Sequence, residues 1–224
     1  MSNHIASNAI PTRVTSVLEV NKVLRNTYML LALSLLFSAG MAGLSMAMNQ
    51  KPLGLLITLG GFFLLQFGIV RFRDSGVGVA LVFALTGFMG YTLGPILNMF
   101  MKMSGGSSIV MTALGATGTV FLALSAYVLM SRKDFSFMGG FLFAGIWIAF
   151  IAGLAAIFFQ IPMLSLAVSA AFALISSGYI LYDTSRIIHG GETNYVMATT
   201  SLFVNIYNLF LSLLQIFGVL GRDE

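Results

Sequence analysis

The run Tyr28-Met-Leu-Leu-Ala-Leu-Ser-Leu-Leu-Phe-Ser-Ala-Gly-Met-Ala-Gly-Leu-Ser-Met-Ala-Met48 holds twenty-one residues without a single charge. A hydrocarbon core about 30 Å thick is crossed by a helix of ~20 apolar residues. A signal-peptide core is shorter, so no cleavable signal is expected here. Working outward, runs of similar length recur to the end of the chain. Charges and turn residues divide it into Tyr28–Met48, Leu53–Val70, Gly76–Met99, Ile109–Met130, Phe135–Phe159, Met163–Asp183 and Val196–Leu220. Backbone groups in lipid must pair within their own segment, which selects helices. Connections such as Gln160-Ile-Pro162 are short and make successive helices antiparallel neighbours. The expected architecture is an all-α, seven-transmembrane-helix bundle over residues 27–224, preceded by a polar tail, residues 1–26, outside the membrane.

Composition supports that reading. Of 224 residues, 58% are hydrophobic and 8% charged, whereas a soluble domain carries roughly 25% charged residues to solvate its surface. The natural partner is therefore a lipid bilayer. The net charge of +4 calls for no nucleic acid, because excess Lys and Arg in a membrane protein sets topology. An inside amino terminus puts Arg13, Lys22, Arg25, Arg71, Arg73, Arg132, Lys133 and Arg186 inside, leaving Lys51, Lys102 and Arg222 outside. That is the positive-inside pattern, and an odd helix count then places the carboxyl end outside. With no cysteine, and with His4 and His189 far apart, neither a metal site nor a cofactor is expected.

Most of the membrane interior reads as packing. Among 24 glycines, Gly90 and Gly94 have the spacing that lets two helix backbones approach. Pro95 is expected to kink the third helix or free a carbonyl. The fourteen methionines and twenty phenylalanines serve as lipid-facing or gap-filling bulk, and Trp147 falls in mid-helix.

Polar side chains at membrane depth are costly and so point to function. In the last segment Ser201, Asn205, Asn208, Ser212 and Gln215 recur at spacings of 4, 3, 4 and 3, one stripe on a helix. Ser169, Ser176 and Asp183 do the same on the sixth at intervals of seven. The two segments are antiparallel neighbours, so the stripes can meet, and Gln66 can reach the same half from the second. Two readings stand: interhelical hydrogen-bond glue, or a narrow polar path closed by Asp183. For Asp183 one reading is an ion pair with Arg186 at i, i+3 near the helix end. The other is a carboxyl in a low-dielectric pocket acting as a gate or proton sensor.

Catalysis lacks its parts. An intramembrane aspartyl protease needs two carboxylates, and the seventh segment has no aspartate. A serine protease would need a histidine at membrane depth, and nucleotide or zinc motifs are absent. The chain is not expected to be an enzyme.

Several motifs resemble a known family. They are Ile175-Ser-Ser-Gly-Tyr-Ile-Leu-Tyr-Asp183-Thr-Ser, Ile187-Ile-His-Gly-Gly-Glu-Thr-Asn-Tyr195 and Ser201-Leu-Phe-Val-Asn-Ile-Tyr-Asn-Leu-Phe210. They look like the Bax inhibitor motif (TMBIM) family. Lys22-Val-Leu-Arg-Asn-Thr-Tyr28, Thr86-Gly-Phe-Met-Gly-Tyr-Thr-Leu-Gly-Pro-Ile-Leu-Asn98 and Ser125-Ala-Tyr-Val-Leu resemble its bacterial inner-membrane branch. The resemblance implies a seven-helix fold with a central helix wrapped by the others; in an inner membrane, the orientation expected from the charges makes the amino terminus cytoplasmic and the carboxyl terminus periplasmic. It also implies a substrate and modulator of the membrane protease FtsH, with the polar tail as the protease's handle. Other members are pH-sensitive calcium leaks latched by two aspartates on the last two helices. Asp183 matches the first of these and Asn205 falls at the second, which removes one titrating group and one charge for a divalent cation. The alternative function is thus a calcium or proton leak gated at Asp183.

Overall fold

The computed structural model describes residues 17–221, all of whose regular elements are helical. They are α1 (Val17–Ala47), α2 (Leu55–Phe72), α3 (Gly76–Met101), α4 (Gly106–Ser131), α5 (Gly139–Phe158), α6 (Pro162–Ile188) and α7 (Tyr195–Leu220). A single 3₁₀ turn, Ser136–Met138, leads into α5. Seven helices are long and apolar enough to cross a membrane. Residues 1–16, most of the expected tail, and Arg222 to Glu224 lie outside the described residues.

The central position belongs to α7, which packs against α1, α2, α3, α4 and α6. Half of its spanning window is buried, against 6% for α2. The outer helices carry the wide apolar surface that lipid covers at no cost, with Leu56 on α2 and Phe158 on α5 more than four-fifths exposed. α5 is the outlier, touching only α6 and its own 3₁₀ turn among the described elements.

Close approach of α1 and α3 explains the Gly90–Gly94 pair. A Cβ on Gly90 would collide with the Ser38 backbone carbonyl, and one on Gly94 with the Ser45 side chain. Ala42 is buried on the same helix between those serines. Small residues at this spacing replace the hydrophobic drive that lipid cannot supply. Pro95 lies inside α3, which runs on through it to Met101.

Two helix ends differ from expectation. α1 begins at Val17 rather than Tyr28, so the charged turns with Glu19, Lys22 and Arg25 are already helical. α6 runs past Asp183 to Ile188. The carboxyl finds its partners inside the bundle, so the helix need not end there to reach water. The turn that follows uses Gly190 at φ 74°, a left-handed conformation that favours glycine.

Three loops gather at one end of the bundle. Asn194, after α6, donates 3.1 Å to the Arg73 carbonyl and 2.7 Å to Asp74 Oδ1. His189 Nε2 lies 3.1 Å from the Arg132 carbonyl. Arg71, Arg73, Arg132, Lys133 and Arg186 therefore share this basic end.

Candidate functional site: the α6–α7 seam

The seam begins with Asp183, on the α6 face turned to α7. Its Oδ2 accepts 2.6 Å from Ser201 Oγ and 2.8 Å from Asn205 Nδ2. Ser201 and Asn205 are one turn apart on α7, so the helical repeat delivers both donors to one oxygen. Asp183 and Asn205 are only 7% and 5% exposed. An amide can donate to an ionised carboxylate, so this pair holds without a shared proton. Hydrogen bonds to charged groups run about 1.5–3 kcal/mol each, enough to latch two helices.

The Asp183–Arg186 ion pair, one of the two readings of the sequence, does not form. Arg186 turns outward over the Tyr182 ring at 5.6 Å, donates 2.8 Å to the Gly191 carbonyl and lies 3.7 Å from Glu192 Oε2. The turn after α6 folds back to permit this, with Glu192 N–H donating 3.1 Å to the Arg186 carbonyl. Between the Arg186–Glu192 pair and the latch sits a cavity of about 100 Å³, lined by Asp183, Arg186, Glu192, Met197 and Ser201 among others.

At the far end of the seam Gln215 Nε2 donates to Ser165 Oγ at 2.5 Å. Ser165 was not singled out from sequence, although it stands one turn before Ser169 and extends that stripe. Ser169 itself donates back to the Ser165 carbonyl at 3.0 Å. Asn208, Ser212, Ser169 and Gln215 line a cavity of about 280 Å³ between α5, α6 and α7. Ser176 is buried within α6. The two stripes thus bond at both ends, and beyond the middle their polar side chains line one side of an open cavity whose other walls are apolar. Gln66 does not join them: its Oε1 is buried in α2 without a partner.

A second cluster at the basic end escaped the sequence reading. Ser185 Oγ accepts 2.9 Å from the Phe135 N–H, and His189 Nδ1 lies 2.9 Å from the Ser185 carbonyl. The Phe135 bond and the His189 Nε2 contact with the Arg132 carbonyl pin the α4–α5 loop to the end of α6, while the Nδ1 contact fixes the imidazole on its own helix. Beside them, hydrogen bonds from the Ser136 side chain and N–H hold the Asp134 carboxyl below its ordinary value, helped by the nearby His189.

These features define a polytopic membrane protein whose core helix is latched to its neighbour through one buried acid. The chain belongs to the Bax inhibitor family: residues 20–222 match the family described as Inhibitor of apoptosis-promoting Bax1. It is 53% identical to Modulator of FtsH protease YccA of Escherichia coli K12, covering 93% of this chain and 95% of the relative. An uncharacterized protein of Pseudomonas aeruginosa is 55% identical, over 92% and 93%. An uncharacterized membrane protein of Vibrio cholerae is 46% identical, over 95% and 97%. The protein is a multi-pass inner membrane protein.

Proposed function

We propose that this chain associates with the membrane protease FtsH and modulates its action on other membrane proteins, while being a slow substrate itself. The observation that carries the reading is 53% identity, over nearly the full length of both chains, to a relative named for that modulation. The basic end faces the cytoplasm, by the positive-inside rule, and the carboxyl end faces the periplasm. The amino-terminal residues then lie on the cytoplasmic side, where a free chain end is the part a processive protease can grip. Purification of the tagged full-length chain from native membranes is expected to bring the protease with it. Absence of the protease from the eluate, with the chain intact, would count against the association. Removing Met1–Ala9 is expected to slow the chain's own decay, and unchanged decay would reject the tail as the handle.

One observation favours a second reading, a cation or proton leak gated at Asp183. The cavity behind Arg186 and Glu192 ends on the Asp183–Ser201–Asn205 latch, as a gate would. Calcium flux into liposomes, compared between wild type and Asp183→Asn, separates the two. A wild-type flux no greater than that of empty vesicles ends this reading and leaves the first untouched.

A further inference from the structure

The chain has two histidines, His4 and His189, and the second sits where the α4–α5 loop meets the end of α6. Both of its ring nitrogens face backbone carbonyls. Nδ1 lies 2.9 Å from the Ser185 carbonyl oxygen, and Nε2 lies 3.1 Å from that of Arg132. A carbonyl oxygen only accepts, and a neutral imidazole carries one N–H, so both contacts are hydrogen bonds only in the imidazolium. In the neutral ring one nitrogen turns a lone pair toward a carbonyl at hydrogen-bond distance. Ser185 Oγ, 3.3 Å from Nδ1, could donate to a bare Nδ1, but the nearer Ser185 carbonyl would still oppose that lone pair.

The charges around the ring suit a cation there. The Asp134 carboxylate, on the loop, is close enough to interact with the His189 charge. The loop's own cations turn elsewhere: Lys133 Nζ lies over the Tyr127 ring at 5.7 Å, and Arg132 presents its carbonyl to His189. On α6, Arg186 is held by Gly191 and Glu192, and Asp183 by its two α7 donors. α1 also packs on α6 and brings Glu19, Lys22 and Arg25 to this end. The other helices packed on α6, namely α4, α5 and α7, contain no charged residue.

The anchored loop is not relaxed. Arg132 closes α4 at φ 51°, a left-handed conformation that a residue other than glycine adopts at a cost. Its tertiary anchors include the His189 contact and the Phe135 N–H bond to Ser185 Oγ at 2.9 Å. The loop leads through the 3₁₀ turn into α5, which among the described elements touches only that turn and α6. The His189 junction therefore fixes the entry of the least attached helix.

We infer that His189 is a pH-operated clasp between the α4–α5 loop and α6, closed as the imidazolium and loosened when the ring loses its proton. Docking makes two bonds with the charged ring and one with the neutral ring, so it weakens as pH rises. Histidine ordinarily changes charge between about pH 5 and 8, which puts the clasp in the cellular range. Asp134, held below 3.8, stays ionised there and takes no part in the transition. The clasp does not depend on the protease reading.

Hydrogen–deuterium exchange of the full-length protein in mild detergent, corrected for intrinsic exchange rates from about pH 5 to 9, reads the Phe135 amide. Histidine ¹⁵N labelling follows the ring in the same samples, and His4→Gln assigns the His189 signal. Protection of the loop is expected to fall about tenfold, the worth of one hydrogen bond, at the pH where the His189 nitrogens titrate. The α2–α3 loop, which Asn194 holds without a histidine, is expected to keep its protection. His189→Gln, neutral at every pH, is expected to show the weaker loop protection throughout. Loop protection that stays flat while the ring titrates, a ring in one protonation state throughout, equal loss in the α2–α3 loop, or the same pH dependence in His189→Gln would each overturn the clasp. The wild-type measurements stand even where His189→Gln fails to fold.

Discussion

Gly90→Ala is the sharpest test of how the bundle is held together. A Cβ built on Gly90 lies 2.7 Å from Ser38 Oγ and 2.8 Å from the Ser38 carbonyl carbon, where ordinary contact begins at 3.4 Å. The hydroxyl could rotate away, but the carbonyl carbon falls short by about 0.6 Å and its oxygen lies closer still, and both belong to α1 backbone, which cannot. α1 and α3 must separate, and overpacking of this kind costs about 1–3 kcal/mol. Gly115→Ala in α4 provides the control, because a Cβ there meets nothing within 4 Å. Replacing glycine by alanine in an unobstructed helix interior gains about 0.5–1 kcal/mol. The same chemical change should therefore have opposite signs at the two positions. Equilibrium unfolding in mixed SDS and dodecylmaltoside micelles, followed by far-UV circular dichroism, measures both. Equal shifts, or a Gly90→Ala protein as stable as wild type, would refute the close α1–α3 contact.

Other consequences use the same assay. Asp183→Ala strands the Ser201 hydroxyl and the Asn205 amide and should cost about 1–3 kcal/mol, whereas Asp183→Asn keeps an acceptor and should cost less. Asn194→Ala removes the cap that accepts from the Val196 and Met197 N–H groups and should cost about 0.5–2 kcal/mol. The depressed Asp134 carboxyl gives a pH signature. Its stabilisation is complete above the ordinary value of 3.8 and is lost as pH falls through the lower folded value. The melting difference between wild type and Asp134→Ala should hold from pH 7 down to that region and then shrink. A constant difference through it would contradict the Ser136 bonds.

What could be read from the sequence was whatever depends on periodicity and on solvent. Seven runs of transmembrane length give seven helices, because lipid imposes both length and backbone pairing. The 4-3-4-3 stripe on α7 put Ser201 and Asn205 on one face, and the antiparallel neighbour supplied Asp183. Of the two readings of Asp183, the ion pair with Arg186 is absent, because spacing along a helix cannot foresee the Gly190 turn that returns Glu192 to Arg186. Gln66 was expected near the stripes on depth alone, but α2 packs mainly beside α3 and its amide never reaches them. α6 continues past Asp183 to Ile188, and the α7 donors that satisfy its carboxyl inside the bundle are tertiary partners that hydropathy does not show. Nor does any local pattern show that α5 stands apart from α7, since a gap between helices is a property of the whole packing.

The central claim is that this chain works by altering what FtsH does to other membrane proteins. It is tested most directly by the decay rate of a membrane substrate of FtsH in cells lacking the chain, with native levels, and with excess chain. Slower substrate decay as the chain increases, abolished when the protease is inactive, is the predicted result. A decay rate independent of the chain, at levels where the protease does degrade its substrate, would contradict it.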